Sequence, residues 1–278
     1  MINPIARWPL ISFFVLTYLL TWWIFPLGVP GFPVFPFGPD AAVLIVVALT
    51  AGRTGVTRVL ASLLRWRAAP RWYALALLLP LLITLPAVFS MPALGAPTSA
   101  LPSLTDAVLY LAVLPLAILI GGPLGEELGF RGYALPILLQ RHRPLVAVAI
   151  LGAAHALWHL PLFFTADPPP PAAFVLGLLS GGVVLAWLLN CTGNIVLVMI
   201  LHGGANTAQQ QFMAGFTDTD STHVQWLTAI GWALTAALII WRTRGTLTPP
   251  GGPAFAVPVH QVPTSSQRRS AVASQPAM

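Results

Sequence analysis

Eight long apolar runs are separated by short polar breaks. They cover residues 10–27, 37–51, 72–89, 104–120, 145–164, 172–189, 195–211 and 225–241. The runs are continuously apolar rather than alternating, and most approach the roughly 20 residues that an α-helix needs to cross a bilayer. Hydrocarbon offers the backbone no hydrogen-bond partner, so a spanning segment is either a helix or a strand of a closed barrel. Without a two-residue period, helices are the prediction. The fold class expected is all-α: a polytopic integral membrane bundle of about eight transmembrane helices. The second run is the weakest, because its apolar core, residues 41–50, is shorter than a usual span.

Composition agrees with this pattern. The 278 residues are 57% hydrophobic and 7% charged, against about 25% charged in soluble domains. The net charge of +6 would suggest a nucleic-acid partner only if the positive charges formed a surface. They do not. All basic residues are arginines, and they flank the apolar runs. With the N-terminus in the cytoplasm, Arg7, Arg53, Arg58, Arg65, Arg67, Arg71, Arg141, Arg143, Arg242, Arg244, Arg268 and Arg269 fall on one side, as the positive-inside rule expects. Asp40, Asp106, Asp167, Asp218 and Asp220 fall on the other. Deleting the second run destroys this sorting, so it is retained as a span. The expected setting is the inner or plasma membrane of a cell, crossed several times, with both termini cytoplasmic and no nucleic acid bound. The first run lacks a small-x-small cleavage site and reads as an uncleaved span. Cys191 has no partner for an intrachain disulfide. Residues 1–244 form the membrane domain, with a motif core at about 104–211. Residues 245–278, rich in Pro, Ser, Gln and Gly, read as a disordered cytoplasmic tail. Residues 168–171, all proline, read as a stiff external turn, and no internal repeat is visible.

Three charges escape the sorting. Glu126 and Glu127, the only glutamates, lie with Arg131 in GEELGFRG, just after a Gly-Gly-Pro helix break. On a helix Glu127 and Arg131 are i,i+4 and share a face, while Glu126 points about 100° away. This phase suggests that Glu127 pairs with Arg131 and that Glu126 faces a cavity. His155 and His159, in HALWHLP, are i,i+4 in the fifth run. His202 and Asn206, in HGGAN, are i,i+4 in the seventh, with Gly203 and Gly204 between them for close helix approach. Each set alone has a plain structural reading: a surface ion pair, a hydrogen-bonded core histidine, an interhelical asparagine. Together, on three segments of a chain that otherwise excludes such groups, they point to function. Asn190, Cys191, Thr192 and Asn194 read as a polar turn. His223 is placed in an external loop, and His142 and His260 on the cytoplasmic side.

These motifs, in this order, resemble the CPBP family of intramembrane proteases, which includes the CAAX prenyl endopeptidases and the bacterial Abi and bacteriocin-immunity proteins. The pattern EExxxR, aromatic-xxx-His, His-xxx-Asn/Asp reads here as Glu126-Glu127-xxx-Arg131, His155-xxx-His159 and His202-xxx-Asn206. EELGFRGYALP and WHLPLFF also look like the family, and the likeness covers roughly residues 35–210. One position departs, since His155 stands where the family usually carries Phe or Trp, a packing or water-shielding residue. The resemblance implies an endopeptidase acting on a membrane-tethered protein or peptide, lipidated in some members, with no cofactor. It implies that Glu126 activates water with help from His159, that His202 and Asn206 stabilise the oxyanion, and that Glu127, Arg131 and His155 support them. Independently of the family, peptide hydrolysis needs a base, a water and donors for the developing oxyanion, and these side chains supply the parts. His155 also keeps a zinc-dependent variant open, with His155, His159 and His202 as ligands. A non-catalytic membrane scaffold or immunity-type protein is the other alternative; a transporter is disfavoured because the charges form a cluster and not a path. At ~1.5 Å per residue, Glu126 is expected near the cytoplasmic end of its span and His159 deeper, about 21 Å in. The expected cavity opens toward the cytoplasm or inner leaflet.

Overall fold

The computed structural model describes residues 4–29 and 34–248, so most of the expected disordered tail, with Arg268, Arg269 and His260, lies outside the described residues. Among the described residues there is no strand. The helices are α1 (Pro4–Arg7), α2 (Pro9–Trp22), α3 (Gly38–Ala61), α4 (Pro70–Ser90), α5 (Leu104–Ile120), α6 (Pro123–Gly129), α7 (Leu135–Leu139), α8 (Pro144–Trp158), α9 (Pro171–Thr192), α10 (Ile195–Phe212) and α11 (Asp218–Thr243). A single π turn, Phe130–Ala134, joins α6 to α7. Each of the eight apolar runs therefore contains a long helix. Seven of these are long and apolar enough to cross a membrane. The eighth, α10, carries His202, Asn206 and three glutamines. The chain is a polytopic helical membrane protein.

Its surface is inverted relative to a soluble protein. Leu104, Leu64, Phe164, Trp241 and Leu82 are well exposed, while Glu126, Glu127, Arg131, Asp40 and His155 are buried. Such a distribution is stable only where the surroundings are apolar. One end of the bundle is marked by four arginines over tryptophan rings: Arg7 on Trp8, Arg67 on Trp66, Arg71 on Trp72 and Arg242 on Trp241, at 5.1–5.9 Å. These pairs flank the starts of α2 and α4 and the end of α11, where an aromatic belt meets headgroups.

The weak second run is completed by its own continuation. α3 extends to Ala61 through a kink at Gly52 (φ 62°, ψ −160°), so Arg53 and Arg58 belong to the same helix. α11 likewise begins seven residues earlier than the pattern predicts, which puts Asp218, Asp220 and His223 in its first turns and not in a loop. The polar turn at 190–194 is structural, as expected. Asn190 Nδ2 donates to the Leu247 carbonyl at 3.0 Å, and Asn194 caps α10 by accepting from the amides of Val196 and Leu197.

Close approach decides how the centre packs. α10 lies against α4 and α5, and a Cβ on Gly203 would come 2.5 Å from Ile118 Cγ1. α6 lies against the start of α3. A Cβ on Gly125 would meet the Pro36 carbonyl oxygen at 2.4 Å, and one on Gly129 the Pro39 carbonyl oxygen at 2.7 Å. These glycines form a G-x-x-x-G face, the small-residue spacing that lets membrane helices touch backbone to backbone. Asp40 closes this contact from the first turn of α3, its Oδ1 accepting from the Gly129 amide at 3.2 Å. α2 is fastened to α8 by three polar contacts near their C-terminal ends: Tyr18 Oη to the Ala154 carbonyl, Trp22 Nε1 to the Trp158 carbonyl, and Trp158 Nε1 to Thr21 Oγ1.

Candidate active site

The Gly-Gly-Pro break does what the sequence suggests. α5 stops at Ile120, Gly122 takes φ +116°, and Pro123 opens α6 in its first turn. Pro lacks the amide that a first turn leaves unpaired in any case. The helical phase then separates the two carboxylates. Glu127, fully buried, accepts from Arg131 Nη1 at 2.9 Å. Its Oε1 also accepts from His202 Nδ1 at 2.7 Å, while Oε2 has no hydrogen-bond partner among the described residues. Glu126 faces a cavity of about 190 Å³, as expected, but it is not free there. Its Oε2 lies 2.9 Å from His155 Nε2.

The histidines have unequal settings. α8 ends at Trp158, so His159 is a cap residue and not part of a continuous helical face. Its Nδ1 sits 3.1 Å from the His155 carbonyl oxygen. A carbonyl only accepts, so the proton is on Nδ1 and Nε2 carries the lone pair in the neutral ring. The same reasoning puts a proton on His202 Nδ1 against the ionised Glu127. His155 lies on the Phe130 ring with centroids 4.5 Å apart and beside His159 at 4.8 Å. Among the described residues its buried Nδ1 has no partner.

Glu126, His155, His159, His202, Asn206 and Arg131 all line the one cavity. The structure thus gathers all three motifs, with Glu127 behind them as an anchor for Arg131 and His202. The depth expected for Glu126 is corrected. The π turn and α7 carry the chain onward to Arg141, and those fifteen residues correspond to roughly 22 Å of helix. Glu126 therefore lies at the level of the histidines, not near the cytoplasmic end of a span. The direction of the cavity is corrected as well. Its walls include Phe174 at the start of α9, Met213 at the end of α10, and Gln225 and Thr228 in the first third of α11. These lie in the half of the bundle away from Arg71, Arg141, Arg143 and Arg242. The polar positions there, Gln209, Gln225 and Thr228, sit on the helix halves opposite the arginine-rich end.

The sequence offered His155, His159 and His202 as ligands only for a zinc-dependent alternative. His202 is turned to Glu127, and the ligand atoms that come together are those of Glu126, His155 and His159, all within 4.8 Å of one another.

Residues 107–208 match the family model for Rce1-like type II CAAX prenyl endopeptidases. The motif-bearing core of the chain is thus similar to this family. A similar curated protein is CAAX prenyl protease 2 of Methanococcus maripaludis, 30% identical over 148 residues. That alignment takes in 49% of this chain and 51% of the relative, so it spans about half the length of the protein it matches. The matched segment runs from α5 to α10 and contains every motif of the site.

Four residues that contribute are not apparent from the motifs. Asp40 sorts with the external aspartates, yet it pins α6. Gly125 and Gly129 carry a spacing signal, G-x-x-x-G, inside the charged motif itself. Gly122 is positioned by its backbone: a Cβ there would lie 2.4 Å from Glu126 Oε1 and 4.0 Å from Asn206 Nδ2.

Proposed function

We propose that this protein is an intramembrane endopeptidase that hydrolyses a peptide bond of a membrane-tethered protein, with Glu126 as the base that activates water. One observation carries the reading: of two adjacent buried carboxylates, one is tied to Arg131 and His202, and the other is aimed into a cavity among histidines and an asparagine. Structural pairing accounts for Glu127. It does not account for Glu126.

His155 holds Oε2 of Glu126, which leaves Oε1, beside Gly122 and Asn206, to meet the water. Glu126 takes a proton from that water, and the hydroxide oxygen bonds to the substrate carbonyl carbon. The carbonyl π electrons move to oxygen. Asn206 Nδ2 donates to that oxyanion, and so does His202 Nε2–H in the imidazolium form, whose ring orientation is set by Glu127. Collapse of the intermediate breaks the C–N bond, and Glu126 returns its proton to the leaving amine. Preorganised donors of this kind are each worth about 10²–10³ in rate. His159 completes the wall on which the water rests.

The substrate class follows from the setting and from the family. A cavity within a membrane bundle takes a chain already held at the membrane, and a prenylated C terminus is the first class to test. The test compares membrane proteomes of cells carrying the native protein and Glu126→Gln, together with cleavage by purified protein. Glu126→Gln should fold normally, lose at least ~10²-fold in cleavage, and let uncleaved membrane proteins accumulate. Undiminished cleavage by that variant would falsify the assignment and favour a non-catalytic scaffold.

A further inference from the structure

His155 is not explained as a packing residue. The family pattern places an aromatic side chain there, and phenylalanine would lie on Phe130 equally well without a buried polar atom. His155 Nδ1 has no partner among the described residues, and an unsatisfied buried nitrogen costs about 1–3 kcal/mol. The histidine is therefore retained at a cost in stability, and its other nitrogen points at Glu126.

We propose that Glu126, His155 and His159 form a three-ligand site for a divalent transition ion of the zinc class. Two imidazoles and one carboxylate are a donor set that zinc favours, with a fourth position left open. The ligand atoms already lie within 4.8 Å of one another. A tetrahedral ion with bonds of 2.0–2.1 Å wants separations of about 3.3 Å, and the Glu126–His155 pair is at 2.9 Å. His159 is prepared for the role. Its Nδ1–H is held by the His155 carbonyl, the outer-shell hydrogen bond that fixes the tautomer and orients Nε2 of a ligating histidine. The ion takes the place of the proton shared by Glu126 Oε2 and His155 Nε2. The fourth position faces the cavity, where water or an added anion can complete the shell. His202 is outside the set because the ligand atoms that lie close to one another are those of Glu126, His155 and His159.

The site has a consequence that rests on the peptidase reading. A Glu126 carboxylate bound to the ion is no longer available as a base, and Glu127 is held by Arg131 and His202. Occupancy of the site therefore holds the glutamate reaction off.

The test is metal binding itself, which does not depend on cleavage. Purified full-length protein in detergent is titrated with Co²⁺, read by visible absorption, and then with Zn²⁺ in competition. One equivalent should bind with the intense bands of four-coordinate cobalt. His155→Phe should weaken binding at least ~tenfold, and His159→Gln should do the same. A His142→Ala/His223→Ala double variant, which removes two histidines that do not line the cavity, should bind as the native protein does. Circular dichroism and gel filtration establish which variants are folded, and either single variant suffices if the other is not. Absence of stoichiometric binding, binding unchanged in both single variants, or loss of binding in the double variant would overturn the proposal.

Discussion

Replacing Arg131 by methionine isolates the structural half of the carboxylate pair. Glu127 is fully buried, and its Oε1 has two partners, Arg131 at 2.9 Å and His202 at 2.7 Å, while Oε2 has none. Arg131→Met keeps most of the side-chain volume, so the loss is mainly electrostatic. It leaves a buried carboxylate with one imidazole for support. Breaking a buried pair from one side costs about 3–5 kcal/mol. The surviving His202 contact argues for the lower figure, about 3 kcal/mol, or roughly two powers of ten in the folding equilibrium. The assay is reversible unfolding in mixed micelles of native protein, Arg131→Met, Glu127→Gln and the double variant. Removing the carboxylate should relieve the stranded charge, so the double variant should be more stable than Arg131→Met alone, with a coupling of at least ~1 kcal/mol. Arg131→Met within ~0.5 kcal/mol of native, or strict additivity, would refute the view that Glu127 is an anchor whose charge needs Arg131.

The other expectations concern positions that hold the site in place. Gly122→Ala puts a Cβ 2.4 Å from Glu126 Oε1 at φ +116°, so cleavage should fall at least ~10²-fold from displacement of the base, with a stability loss of about 1–3 kcal/mol. Native-like cleavage by folded Gly122→Ala would contradict the placement of Oε1. Thr21→Val removes the acceptor of Trp158 Nε1 and should cost about 1–3 kcal/mol, whereas Thr21→Ser should be close to native; equal stabilities in thermal unfolding would count against this contact. Gly203→Val forces α10 from α5, since its Cβ would come 2.5 Å from Ile118 Cγ1. Its melting temperature should drop by the equivalent of ~1–3 kcal/mol, and an unchanged melt would mean the helices are less close than described. Asn206→Ala should retain the fold and lose about 10²–10³ in cleavage, a split that a purely interhelical role for Asn206 would not produce.

Much of this architecture is legible because a bilayer restricts the options. Continuous apolar runs in a chain with so few charges can only be helices, and charge sorting identified even the short second span. Helical phase alone assigned Glu127 to Arg131 and turned Glu126 elsewhere, because side-chain direction along one helix is a local property. The likeness to the protease family was carried by motifs whose spacing is also local. Two readings of the site went astray, both for the same reason. The depth of Glu126 was counted from the nearest helix end, but the π turn and α7 extend that segment to Arg141. The cavity was expected on the arginine side, but its walls come from the opposite halves of α9, α10 and α11.

The sequence by itself determined the class of fold, the number of long helices, the break before GEELGFRG and the identity of the polar side chains that meet at the cavity. These follow from period, length and solvent. Only the tertiary structure decided the pairings between segments: Glu126 with His155, Glu127 with His202, and Asp40 with the Gly129 amide. Those pairings join residues up to 89 positions apart. They depend on how closely helices can approach, and here that distance is set by glycines at their contacts, which a one-dimensional pattern does not rank.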